Sequence, residues 1–184
     1  TIDRLLDSLG ATAGPVVPTR EWRELYAALD CQVAAMIHPF YTATARQFAA
    51  AGRALVGSAP VGVEGTTAWL EAMGTQLGAD RASIDAAIST QRSAIRAALD
   101  NNPIDATITL SGYEGSELLV ARLLIESGAT VPYVGSACPK TPHSAADAKW
   151  LGDQGVTVKF RASLEDDLIA MEAFKPDLVI GTTP

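Results

Sequence analysis

Downstream of Asn101-Asn102-Pro103 the chain alternates short apolar runs with amphipathic stretches in a β-α-β-α-β-α-β series. Strands are expected at 105–110, 130–134, 156–160 and 177–180, and helices at 116–127, 145–154 and 163–173. Several of the runs are continuously apolar, as in parallel strands covered on both faces. A parallel strand needs a crossover connection, and the intervening helices supply it. Ser163 and Asp166 resemble a capping box, with aspartate in place of the more usual glutamate. The proline restricts its predecessor and the asparagines favour turns, so a domain boundary is placed there, with a Rossmann-like unit at 101–184.

Upstream, at 1–100, helical and strand signals also alternate. Ile2, Leu5, Leu6 and Leu9 share a helical face closed by Gly10. A short strand is expected at 13–17, a helix capped by Thr19 through Leu29, a strand at 31–37, a helix at 41–51 ended by Gly52, and a strand at 54–57. From Glu64 the period is helical, with Trp69, Met73 and Leu77 four apart. After Gly78, Ile84, Ile88, Ile95 and Leu99 line a second helix. These two helices are expected to bridge a first Rossmann-like domain to the second. The fold class is therefore α/β, with two Rossmann-like domains on parallel sheets.

The chain has 184 residues, 48% of them hydrophobic, enough for one sizeable core or two small ones. Its 14 basic and 21 acidic residues give a net charge of −7, and no basic stripe or aromatic-basic interleaving argues for nucleic acid. No apolar run approaches the roughly 20 residues of a membrane span, and the amino end does not read as a signal sequence, so a cytoplasmic protein is expected. The 2 cysteines, Cys31 and Cys138, make neither a disulfide framework nor a CxxC pair and are expected to be reduced and buried. The chain begins without methionine and stops just past a strand pattern, where open sheets carry their ligands, and is expected to be a fragment of a longer protein.

Three places carry candidate chemistry. Gly112-Tyr113-Glu114-Gly115 follows a strand and opens a helix, so its backbone amides could face a ligand. It lacks the GxGxxG spacing, and Glu114 would repel a pyrophosphate. His38-Pro39-Phe40-Tyr41 occupies the turn at a strand's carboxyl end, and its aromatic faces and polar tips suit a large conjugated molecule, though the same residues serve equally well as packing at a turn. The loop from Ser136 to His143, stiffened by Pro139 and Pro142, could wall the same cleft. The pairs Cys31/His38 and Cys138/His143 do not have zinc spacing. No Ser/His/Asp order, paired carboxylates or P-loop is apparent.

Four segments of the second unit carry a resemblance. They are Glu114-Gly115-Ser116-Glu117, Pro132-Tyr133-Val134-Gly135-Ser136-Ala137-Cys138-Pro139-Lys140-Thr141-Pro142, Phe160-Arg161-Ala162-Ser163-Leu164-Glu165-Asp166-Asp167-Leu168, and Lys175-Pro176-Asp177-Leu178-Val179-Ile180-Gly181-Thr182-Thr183-Pro184. In this order they resemble the Y subunits of the nitrogenase-like chlorophyllide a reductases. The last segment is common to nitrogenase-like subunits, whereas the C-P-K-T-P loop with F-R-A-S-L-E is more particular. The strand-turn at His38 and the G-T-T-x-W-L element from Gly65 to Leu70 extend the likeness into the first unit.

The resemblance implies a fragment of a three-domain subunit paired with a Z subunit in a heterotetramer. It implies a [4Fe-4S] cluster whose ligands lie outside this fragment, with no metal held within it, and electrons delivered by a separate ATP-dependent iron-sulfur reductase that uses Mg-ATP. The implied reaction is two-electron, two-proton reduction of the ring B C7=C8 bond of chlorophyllide a. Where nitrogenase's catalytic subunit reads H-C-Y and its cysteine binds the metal cofactor, this chain has Pro39 after His38, which fits a cavity holding a tetrapyrrole. His38, Phe40, Tyr41, Tyr113 and Glu114 are the residues expected to border it. The fragment alone is expected to be inactive. The rival expectations are dark-operative protochlorophyllide reductase or another nitrogenase-like subunit, and, in another class, a non-catalytic two-lobed binding protein or a nucleotide-sugar transferase.

Overall fold

The computed structural model describes residues 2–181. Helix α1, Ile2–Asp7, buries Leu5, and Gly10 takes a positive φ of 71° beyond it. Helix α2, Trp22–Leu29, is capped by Glu21 rather than by Thr19: Glu21 and Glu24 form a capping box, and the Thr19 hydroxyl donates to the Glu21 carbonyl. Strand β1 is confined to Val33–Met36, shorter than expected, and helix α3, Thr42–Ala50, leads to strand β2, Ala54–Gly57. The strands β1 and β2 pair in parallel as a two-stranded sheet. Residues 13–17 form no strand. Pro15 and Pro18 lack the amide donors that a sheet ladder needs, so an apolar run there could not be zipped to β1.

Helix α4, Gly62–Leu77, buries Thr66, Trp69, Leu70, Met73 and Gly74, the helical spacing of a core-facing stripe. It ends at Gly78, whose φ of 71° is the left-handed cap that glycine accepts without strain. Helix α5, Arg81–Asp100, starts at Asp80, whose carboxylate accepts from the Ser83 amide at 2.9 Å. Close packing of the pair depends on Gly74, where a Cβ would meet Ile84 Cγ1 at 2.6 Å. The first core therefore lies under this helix pair and joins Leu5, Leu9, Val56, Trp69, Leu70, Met73, Ile84 and Ala87.

The second unit follows the expected series. Strand β3 is Thr107–Gly112, helix α6 Glu117–Glu126, strand β4 Thr130–Ser136, helix α7 Ala145–Asp153, strand β5 Thr157–Phe160, helix α8 Leu164–Phe174 and strand β6 Leu178–Gly181. The Ser163/Asp166 capping box at the start of α8 is present. All pairings are parallel, in the order β5-β4-β3-β6. Right-handed crossovers then put α6 and α7 on one face and α8 on the other. The order reverses between β3 and β6, so the turn after β3 stands at the switch point where open sheets bind ligands. The expected ligand-bearing loop after β6, Thr182-Thr183-Pro184, lies outside the described residues, as does Thr1. A second core, with Ile108, Leu110, Leu118, Val134 and Leu151, fills the space between β3, β4 and the α6/α7 face.

The two units are locked through α6. The Glu126 carboxylate caps the start of α4, accepting from the amides of Val63 and of Glu64, the latter at 3.0 Å. A carboxylate there satisfies orphan donors and complements the helix dipole. Gly62 is required for this approach: its φ is 70°, and a Cβ would overlap the Glu126 carboxylate. Gly62→Ala combines left-handed strain with overpacking and is expected to cost about 2 kcal/mol or more. Gly152→Ala, on α7 with nothing within 4 Å of an added Cβ, is expected to be neutral or stabilising. Urea midpoints of the two variants check this.

Candidate functional site

The carboxyl ends of β1, β2, β3 and β4 converge. The turn after β1 holds His38, Pro39, Phe40 and Tyr41; the turn after β3 holds Tyr113, Glu114 and Gly115. The two meet at Gly115, where an added Cβ would lie 3.2 Å from Pro39 Cγ and 3.3 Å from Phe40 Cε2. With φ at +80°, Gly115 both makes the turn and lets the Phe40 ring lie against its backbone. Within the first turn the His38 ring stands 5.2 Å from Phe40 and 5.7 Å, edge-on, from Tyr41, and its Nδ1 accepts from the Phe40 amide at 3.3 Å. That bond leaves Nε2 as the ring's remaining polar atom.

The expected site residues thus fall in one neighbourhood. His38 is half-buried, while Phe40, Tyr41, Tyr113 and Glu114 are exposed. The seam between the turns is filled: the cavity beside Pro39, Ser58, Gly115, His143 and Asp147 measures about 10 Å³, room for at most about one water. A larger ligand does not fit within the seam itself. A second cavity of about 500 Å³ is bordered by His38 and Tyr41 together with Val17, Cys31, Phe48 and Met73.

The glycine-bracketed turn differs from expectation in one respect. Its amides do not face a ligand: Glu117, 2% exposed at the start of α6, accepts from the amides of Glu114 at 2.9 Å and Gly115 at 3.1 Å. Its other oxygen accepts from the Ser136 hydroxyl at 2.9 Å. The protein's own carboxylate occupies the place of an anion, so a phosphate would meet repulsion and no free donors.

The loop after β4 closes the cleft. Cys138 is buried, its thiol donates to the Tyr113 carbonyl at 3.2 Å, and burial pushes its pKa up. Cys31 is only half-buried, not in the core as expected, and its thiol is likewise raised by burial. His143 stands against Gly57 at the end of β2. Behind it, Asp147 accepts from Ser58 at 2.8 Å and pairs with Arg122, whose guanidinium also lies 4.8 Å from the Trp150 ring. On the far face of the sheet, Asp167 accepts from Tyr133 at 2.8 Å and from Ser111. Burial, and then that carboxylate, holds the Tyr133 hydroxyl above the ordinary phenol range.

An iron-sulfur cluster is held by about four thiolates, and the described residues do not fit one. The 2 cysteines stand on separate elements, and Cys138 is spent on a backbone carbonyl. Among the described residues no group of three or more His, Cys, Asp or Glu side chains could hold a metal ion. No described helix is long and apolar enough to cross a membrane.

Glu117, Arg122 and Asp147 were missed by sequence reasoning. A signal existed: Glu117, Arg122 and Glu126 are the charged residues of an otherwise apolar α6, and the first two are buried.

The comparisons with known proteins agree with this architecture. The chlorophyllide reductase 52.5 kDa chain of Cereibacter sphaeroides is 65% identical over 183 residues, covering 100% of this chain and 36% of that protein. That of Rhodobacter capsulatus is 62% identical over 183 residues, covering 37% of its own length. The chain thus spans a little over a third of the curated relatives it matches. A solved structure of nitrogenase Cp1 at pH 5 superposes with a TM-score of 0.71 at 15% identity, over 97% of this chain and 43% of that one. The structure at pH 6.5 gives 0.66 at 16% identity. At such identities these structures bear on the fold alone. The family model for nitrogenase component 1 type oxidoreductases matches residues 1–184, and the chain belongs to that family.

Proposed function

We propose that this chain is part of a chlorophyllide a reductase subunit of the Y type, acting in ATP-dependent reduction of the ring B C7=C8 bond of chlorophyllide a. The observation that carries the reading is the 65% identity, sustained over 183 residues, to a chlorophyllide reductase chain. In this reading residues 1–100 and 101–184 are two Rossmann-like domains of a three-domain subunit, which works in the cytoplasm with a Z subunit and an ATP-dependent iron-sulfur reductase. The [4Fe-4S] cluster is ligated by residues outside this chain, and the chain alone does not turn over.

His38, Phe40, Tyr41, Tyr113 and Glu114 border the pigment. Two turns carrying aromatic faces with polar tips suit a flat conjugated ring, and the amides of Glu114 and Gly115, which a phosphate would need, already donate to Glu117. The neighbouring cavity of about 500 Å³ falls in the range of roughly 300–1,000 Å³ typical of pockets for sizeable organic ligands.

The test is an anaerobic assay of the full-length subunit with its Z partner, the ATP-dependent reductase, Mg-ATP and chlorophyllide a, followed at the long-wavelength absorption band. A red shift requiring every component supports the reading; turnover of protochlorophyllide instead overturns it. In that assay His38→Ala and Tyr113→Ala are each expected to lower kcat/KM for the pigment by about tenfold, the scale of one lost ligand contact. Unchanged binding and reduction in both would remove these residues from the site.

A further inference from the structure

Glu117 is a buried carboxylate whose neighbours explain why it is tolerated. Among the described residues it forms no ion pair with Lys or Arg, so three hydrogen bonds and the amino-terminal end of α6 must offset its desolvation. Two of those bonds go to the backbone of the rim turn at Glu114 and Gly115, and the third goes to Ser136 at the end of β4. The Ser136 oxygen in turn accepts from the Cys138 amide at 3.4 Å, and the Cys138 thiol reaches the Tyr113 carbonyl. Together these contacts form a closed circuit. It draws the backbone of Tyr113, Glu114 and Gly115 inward while the side chains of Tyr113 and Glu114 stay exposed.

We infer that Glu117 is a positioning residue for the pigment rim, holding the turn after β3 in the conformation that presents Tyr113 and Glu114 beside Phe40. The inference rests on the proposed reading of that rim as the tetrapyrrole contact surface. Without the carboxylate, the amides of Glu114 and Gly115 lose their acceptor. The turn then relaxes toward other partners, and the rim loses the geometry in which its side chains meet a planar ligand. A glutamine at this position keeps an oxygen that accepts from both amides and an NH₂ that donates to Ser136.

The experiment uses the full-length subunit assembled with its partners, with chlorophyllide a as probe. Steady-state kinetics are combined with hydrogen exchange at the Glu114 and Gly115 amides. Glu117→Ala is expected to raise the pigment KM by about tenfold with kcat changed far less, and to accelerate exchange at both amides, while Glu117→Gln stays close to the parent. Loss of the same size in Glu117→Gln overturns the inference, because the geometry would then not be what matters. An unchanged KM in Glu117→Ala overturns it while Tyr113→Ala still raises KM; an unchanged KM in both overturns the rim reading itself. Should Glu117→Ala fail to assemble, Ser136→Ala decides: a KM rise of about threefold supports the circuit, and an unchanged KM overturns it.

Discussion

Replacing Arg122 by alanine is expected to lower the unfolding free energy of the chain by about 3–5 kcal/mol, the cost of leaving a buried partner charge uncompensated. Arg122 and Asp147 are 5% and 4% exposed, so water cannot take over solvation of the carboxylate that remains. Among the described residues, the Ser58 hydroxyl would remain as its side-chain donor. The guanidinium also packs on the Trp150 ring and beside Gly65 of α4, so truncation opens a gap where the two units meet. Removing both charges should cost less than the sum of the single changes, because the second deletion takes away the charge stranded by the first. Urea unfolding of Arg122→Ala, Asp147→Ala and the double variant measures this, and strictly additive losses would rule out a coupled pair. Arg122→Lys should recover only part of the loss, since an ammonium lacks the planar group that stacks on indole.

Trp69→Ala is expected to cost a comparable amount, about 3–5 kcal/mol, by emptying the centre of the first core. Trp69 is 2% exposed and contributes to the cluster that joins α1, β2, α4 and α5. Its indole Nε1 is buried without a hydrogen-bond partner among the described residues, so part of what the side chain contributes is already offset by an unmet donor. Trp69→Phe keeps most of the apolar volume and removes that donor, and is expected to lose less than half as much as the alanine variant. Far-UV circular dichroism in urea is the suitable probe because the substitution removes a fluorophore. Equal losses in the two variants would show that indole shape, rather than apolar volume, holds this core together.

The series after Pro103 was legible in the sequence because each of its signals is local. Apolar runs with helical stretches between them and the Ser163 capping box mark elements that involve residues within a turn or two of each other. The same locality explains the failures. The run at 13–17 is apolar enough for a strand, yet strand formation depends on a partner edge and on amide donors that Pro15, and Pro18 just beyond the run, lack. Thr19 has a capping side chain, but Glu21 and Glu24 satisfy each other's backbone and move the start of α2 two residues on. Cys31 looked like core because it precedes an apolar run, whereas its burial depends on what covers the open edge of β1.

The candidate site divides along the same line. That a turn with aromatic residues follows β1, and a glycine-bracketed turn follows β3, could be read from residue order, as could their placement at the carboxyl ends of parallel strands. The family resemblance rested on such ordered segments too. Only the tertiary structure decided that Gly115 lies under Phe40, that Glu117 fills the turn's amide cradle, and that Arg122 pairs with Asp147 beside Ser58. These contacts join residues from separate elements, and in part from separate units. A buried charge takes its partner from whatever the packing brings within hydrogen-bond reach, because desolvation penalises it until a partner is found; periodicity along the chain carries no record of that choice.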